Sequence, residues 1–212
     1  MTKSIETTDQ PTTQTVKHTP LTLKKSQLSK TSAVKRTAIH GRVVVGDISG
    51  SMSGRKLDGL KSAYRKVWAP GIIGIVFGTG VYEITSTDID TLHTMGATNM
   101  MAALRESWSR DPKQIVLISD GEPTDAHEDT IIAEAVERKV RIDTIGIADG
   151  TGYSYNPEFM RELAHATGGT FTDCNEPIEL GGIVEFLLTQ GGSSSLEEGQ
   201  STAAEEGGVI QL

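Results

Sequence analysis

The chain has 212 residues, 36% of them hydrophobic, and its 20 basic and 28 acidic side chains leave a net charge of −8. That length suits one domain with tails, and the acidic balance argues against a general affinity for the phosphate backbone of nucleic acid. A single cysteine, Cys174, excludes an intramolecular disulfide, and no run of about 18 apolar residues reads as a membrane helix.

Residues 1–40 are rich in Thr, Ser, Lys and Gln, and seven Lys or Arg stand against Glu6 and Asp9, a local charge of +5. They lack the continuous apolar stretch of a signal peptide, so the expected setting is the cytoplasm or the soluble part of a larger particle. They read as a basic tail with too little apolar surface to offset the entropy of ordering it. Leu21-Thr22-Leu23 still has the alternation of a strand formed on docking. Residues 191–212, rich in Gly and Ser with four Glu and no basic residue, read as an acidic tail of the same kind. The expected folded unit is 41–190.

Within it, Val43 to Val45 form a first strand that ends at Gly46-Asp47. Leu57, Leu60, Tyr64 and Val67 recur at helical spacing in a stretch from about Lys56 to Trp68. Ile72 to Phe77 and Val81 to Ile84 read as a hairpin, with Gly78-Thr79-Gly80 expected to supply the positive φ of a tight reversal. A helix over Met100 to Trp108 precedes Ile115 to Ile118, a short apolar strand of the kind buried on both faces. Then come a helix from about Glu128 to Lys139, a strand over Ile142 to Ile147, and a helix over Asn156 to Thr167 stopped by Gly168-Gly169. Phe171 marks a last strand, and Pro177 to Leu188 a last helix with proline in its first turn. Such alternation implies an α/β domain with a mostly parallel sheet covered by helices on both faces.

The chemistry gathers in three loops. Asp47-Ile48-Ser49-Gly50-Ser51-Met52-Ser53 follows the first buried strand, and Asp120-Gly121-Glu122-Pro123-Thr124-Asp125 follows the strand at 115–118. Thr98, in Gly96-Ala97-Thr98-Asn99-Met100, opens the second helix. In open α/β sheets the loops at the carboxyl ends of the strands form the binding crevice. These loops offer oxygen ligands only, carboxylates from Asp47 and Asp120 and hydroxyls from Ser49, Ser51 and Thr98. Hard oxygen donors suit Mg²⁺, Mn²⁺ or Ca²⁺. Serines at i and i+2 can turn their hydroxyls to one point if the loop stays extended, with Gly50 relieving crowding between them. Two carboxylates and neutral hydroxyls leave Mg²⁺ room for water or an outside oxygen, and a partner's Asp or Glu is the natural final ligand.

Asp47-x-Ser49-x-Ser51, Thr98 in a Gly-Ala-Thr-Asn context, and Asp120-Gly121 after an apolar strand together resemble the von Willebrand factor type A family. This domain type also occurs as the inserted domain of integrins. The resemblance spans about 41–190, and all five positions of the family's metal-ion-dependent adhesion site match in order. It implies a Rossmann-like, doubly wound sheet of six strands, five parallel and one antiparallel at the edge, the run at 81–84. The strands ending at Asp47 and Asp120 would be neighbours. The implied ligand set is Asp47, Ser49, Ser51, Thr98 and Asp120, holding Mg²⁺ and through it an acidic group of a protein partner. Gly46 departs from the apolar or acidic residue expected before Asp47.

Other patterns fall away. An EF-hand needs glycine at the position of Met52, and a phosphate loop needs the Gly-Lys-Ser/Thr ending that Gly54-Arg55-Lys56-Leu57 lacks. Thr124 and Asp125 read as caps of the third helix or as donors behind the ligands. His93 and His127 read as loop histidines near the site, His165 as an ordinary helix residue, Trp68 and Trp108 as packing residues, and Cys174 as a small packing residue. The leading functional expectation is a non-enzymatic, metal-dependent protein-binding module, including an adaptor to an ATPase chaperone or stress-response system. Its alternatives are an assembly component of a bacteriophage or other particle, and a metal-dependent hydrolase.

Overall fold

A computed structural model describes residues 41–148 and 156–190. The two tails, including Leu21-Thr22-Leu23, lie outside the described residues. Strands β1 (Arg42–Asp47), β2 (Ile72–Phe77), β3 (Val81–Ile84), β4 (Gln114–Ser119), β5 (Arg141–Ile147) and β6 (Phe171–Cys174) form one sheet in the order β3-β2-β1-β4-β5-β6. All neighbours pair in parallel except β2 and β3, which meet as an antiparallel hairpin at the edge. Helices α1 (Arg55–Val67), α2 (Met100–Trp108), α3 (Glu128–Arg138), α4 (Pro157–Ala166) and α5 (Leu180–Gln190) cover both faces. The expected α/β architecture is the one observed.

Strand alternation sorts the core. Val44, Val76, Val116, Ile118 and Ile145 pack on one face with Leu60, Tyr64 and Val67 of α1 and Val184 and Leu187 of α5. Val43, Val45, Ile115, Leu117 and Ile142 pack on the other with α2, α3 and α4 through Leu104, Ile131 and Leu163. Because both faces are covered, every residue of β4 is buried, the condition that gives parallel strands their unbroken apolar runs. Trp108 packs in the second cluster beneath the Arg138 guanidinium, while Trp68 meets Tyr64 edge-on at the rim of the first.

Gly46 is explained by closeness. A Cβ there would lie 2.8 Å from Leu60 Cδ1 and 2.9 Å from the Tyr64 hydroxyl, so α1 rests directly on the β1 backbone. The Tyr64 hydroxyl donates to the carbonyl of Ile75 at 2.7 Å, fixing α1 across β1 and β2.

Two expectations need correction. The hairpin glycines do not carry positive φ; a Cβ on Gly78 would lie 2.4 Å from the Met95 carbonyl, and one on Gly80 would strike the Tyr82 ring, so space is what requires them. The last helix is split: Pro177–Glu179 forms a 3-10 turn before α5 begins at Leu180. A Cβ on Gly59 would lie 2.5 Å from the Pro177 carbonyl, so this turn is seated against α1. The glycine stop of α4 is as read: Gly168 has φ 72°, its N–H bonds His165, and the Gly169 N–H bonds Ala164 at 2.8 Å.

Candidate functional site

The chain leaves β1 for one edge of the sheet and returns to β4 beside it, so the switch in strand order falls between these neighbours. Their carboxyl ends carry Asp47 and, just past Ser119, Asp120. This is where an α/β sheet opens a crevice that helices cannot fill.

Asp47 is completely buried. Its Oδ1 accepts from the backbone N–H of Ser49 at 2.7 Å and its Oδ2 from the Ser119 hydroxyl at 2.6 Å. Burial raises its pKa to about 6; the bonds from Ser119 and Ser49 oppose that rise and the negative charge of Asp120 adds to it. Ser49 Oγ and Ser51 Oγ stand 3.0 Å apart, and Ser51 Oγ donates to Asp120 Oδ1 at 2.7 Å. The serines meet through a 3-10 turn, Gly50–Met52, closed by the Met52 N–H on the Ser49 carbonyl, rather than through the extended loop expected. Gly50 is not relieving crowding: a Cβ there would meet only the Gly96 carbonyl, at an ordinary 3.7 Å.

Thr98 arrives from the loop before α2. Thr124 grips it twice, accepting from the Thr98 N–H on its hydroxyl at 3.0 Å and donating its own N–H to the Thr98 carbonyl at 2.9 Å. A Cβ on Gly121 would sit 3.7 Å from Thr98 Oγ1 and 3.8 Å from Ser51 Oγ, so both hydroxyls border the space that glycine leaves open. Asp47, Ser49, Thr98 and Asp120 are buried and Ser51 is exposed, which makes Ser51 the rim of the cluster.

Asp125 does cap a helix, though not α3. Its carboxylate accepts from the N–H groups of Met101 and Ala102 in the first turn of α2. It thereby fixes the segment carrying Thr98, while His127 occupies the cap position of α3 without a side-chain bond. Cys174 is buried, its thiol 3.3 Å from the Glu176 carbonyl, and burial pushes its pKa to about 11.

Two residues of the site escape sequence reasoning. Ser119, the last residue of β4, donates to Asp47 across the switch point. Lys56, in the first turn of α1, is 4% exposed, and its Nζ donates to Asp120 Oδ2 at 2.5 Å. Lys56 did leave a signal: it lies four residues before Leu60 and eight before Tyr64, on the buried stripe of α1. A lysine on such a stripe must find a carboxylate.

As a donor set the cluster suits a hard divalent cation, with two carboxylates and three hydroxyls from three loops. Among the described residues no three His, Cys, Asp or Glu side chains come together, so a cation here would take neutral oxygens beside its carboxylates. Such an ion would supply an electrophilic point for an anionic oxygen from outside.

Residues 79–173 match the family described as von Willebrand factor type A domain, a segment that holds Thr98 and Asp120 but not Asp47, Ser49 or Ser51. A search of curated proteins finds no match. Among solved structures, a von Willebrand factor type A protein from Catenulispora acidiphila superposes with a TM-score of 0.61 at 17% identity, over 72% of this chain and 42% of its own. This chain thus spans about two-fifths of the length of that solved chain. An aerotolerance-related membrane protein from Bacteroides fragilis gives 0.56 at 13% identity, over 70% of this chain and 98% of its own. The conserved hypothetical protein BatB from Bacteroides thetaiotaomicron gives 0.55 at 12%, over 71% and 97%. Among the described residues of the present chain no helix is long and apolar enough to cross a membrane. The described chain thus has the fold of a von Willebrand factor type A domain, and its segment 79–173 is similar in sequence to that family.

Proposed function

We propose that this protein is a non-enzymatic protein-binding module that holds Mg²⁺, with Mn²⁺ or Ca²⁺ as substitutes, at a complete metal-ion-dependent adhesion site. Asp47, Ser49, Ser51, Thr98 and Asp120 hold the ion, and an Asp or Glu of a protein partner completes its shell. The observation that carries this reading is the convergence of five hard-oxygen donors from three loops at the switch point, with Ser51 at the rim. The groups bonded to the two carboxylates are hydroxyls, a backbone N–H and one ammonium, a set that suits holding an ion. None of them is a general base, which sets the hydrolase reading behind the binding one. The proposed setting is cytoplasmic, as an adaptor to an ATPase-driven or stress-response system, with a role in particle assembly as the alternative.

The test is calorimetric titration of Mg²⁺ and Mn²⁺ into the full chain and into an Asp47→Ala, Ser49→Ala double variant, followed by capture of acidic peptides with and without chelator. Saturable binding by the wild type alone, with capture abolished by chelator, supports the reading. A wild type that binds neither ion overturns it.

A further inference from the structure

Among the described residues Lys56 is the one cation bonded to the cluster, and the donor set that suits a metal does not require it. Its ammonium and the Asp120 carboxylate are both nearly removed from water, with side chains 5% and 1% exposed, and Asp120 spends its second oxygen on Ser51. Removing a lysine and an aspartate from water is costly, and a good pair only offsets that cost. The pair therefore contributes little net stability, but it does fix the charge of the cluster. We infer that Lys56 sets the balance between cation affinity and affinity for an acidic ligand, at the same site and on the reading proposed above.

The argument is a count of charge. Asp47, Asp120 and Lys56 together carry one net negative charge, and a divalent cation turns the cluster positive by one. A ligand carboxylate then restores neutrality. Without Lys56 the two carboxylates alone neutralise the cation, and an incoming carboxylate would leave an uncompensated negative charge in a half-buried place. Lys56 thus repels the cation and favours the acid that follows it. Charges a few ångströms apart at the effective dielectric of a protein interact strongly enough to shift binding by about tenfold or more.

The experiment titrates Mn²⁺ into the full-length wild type, Lys56→Met and Lys56→Arg, each alone and in saturating acetate, with thermal denaturation run in parallel. Lys56→Met is expected to bind Mn²⁺ about tenfold more tightly than wild type, while the tightening that acetate produces in wild type shrinks or vanishes. Lys56→Arg, which keeps the charge, is expected to follow the wild type. If Lys56→Met fails to fold, Lys56→Gln, which keeps a hydrogen-bond donor without the charge, carries the same expectation. Equal or weaker Mn²⁺ binding by the charge-removing variants, or an unchanged acetate effect, overturns the inference and leaves Lys56 as a structural pair. Absence of Mn²⁺ binding in every protein, wild type included, overturns the site itself and this inference with it.

Discussion

Two fully buried aspartates sit at opposite ends of the same sheet, and their surroundings differ in kind. Asp143, near the amino end of β5, receives two bonds from the Arg141 guanidinium, one from Gln114 Nε2 at 2.6 Å and one from the Thr170 N–H at 2.8 Å. Gln114 also donates to the Leu187 carbonyl, so this cluster ties β4, β5, the entry to β6 and α5 together. Asp47, at the carboxyl end of β1, is bonded among the described residues by the Ser119 hydroxyl and by Ser49, all of them neutral donors. Its pKa of about 6 records that shortfall. An aspartate buried to hold a fold is surrounded by donors until its charge is fully compensated. Asp47 lacks that compensation, and on the function proposed above a bound cation would supply it.

The comparison can be broken most decisively at Asp143. Asp143→Ala takes an acceptor from buried Gln114, from the Thr170 N–H and from the partly exposed Arg141, and should destabilise the protein by about 2–4 kcal/mol in urea denaturation, the cost of leaving buried donors unsatisfied. Retained stability would mean that the two ends do not differ as described. Asp47→Asn should act in the opposite direction. In chelator at neutral pH, removing an under-compensated buried charge should stabilise the fold by about 1–3 kcal/mol, while the stabilisation by Mg²⁺ disappears. A loss of stability in chelator would place Asp47 with Asp143 among the structural acids.

A smaller effect is expected at Asp125. Asp125→Ala removes the cap of α2 and should cost about 1 kcal/mol, together with a few-fold loss of metal affinity as the Thr98 segment loosens. An unchanged affinity in calorimetry would show that Thr124 alone suffices to place Thr98. Cys174 probes the site end for packing without chemistry. With its pKa at about 11 against 9.0 for a free thiol, native alkylation by iodoacetamide at pH 8 should be roughly a hundredfold slower than in urea. A raised folded-state pKa stabilises below the unfolded value, so this contribution is present below pH 9 and is lost as the pH rises through 11. A fast native reaction would mean that the β6 end opens locally.

Sequence patterns carry much of this molecule because its signals are local. Apolar runs such as Ile115 to Ile118 mark strands covered on both faces, and the glycine stop after α4 depends on six consecutive residues. The five oxygen donors were legible through the carboxyl-end rule and the family resemblance, and the structure brings them together. What sequence did not show depends on distant residues meeting. Ser119 reaches Asp47 over 72 positions and Lys56 reaches Asp120 over 64. Asp125 looked like a cap for α3 because α3 is next along the chain, yet α2 is the helix beside it in space. The glycines at 78, 59 and 46 answer to atoms of Met95, Pro177 and Leu60, contacts that φ preferences do not encode.

The three loops at the switch point are also joined to one another through their backbones. Ile48 bonds Phe77 and Met95, Gly50 bonds Gly96, Asn99 bonds Gly78, and Thr98 and Thr124 bond each other. Segments from four stretches of chain, 48–50, 77–78, 95–99 and Thr124, are therefore ordered by these bonds in the protein alone. Their conformational freedom is lost in folding, so a ligand docking here, as proposed above, would meet a preorganised socket, and its association would not be slowed by loops that must first take shape.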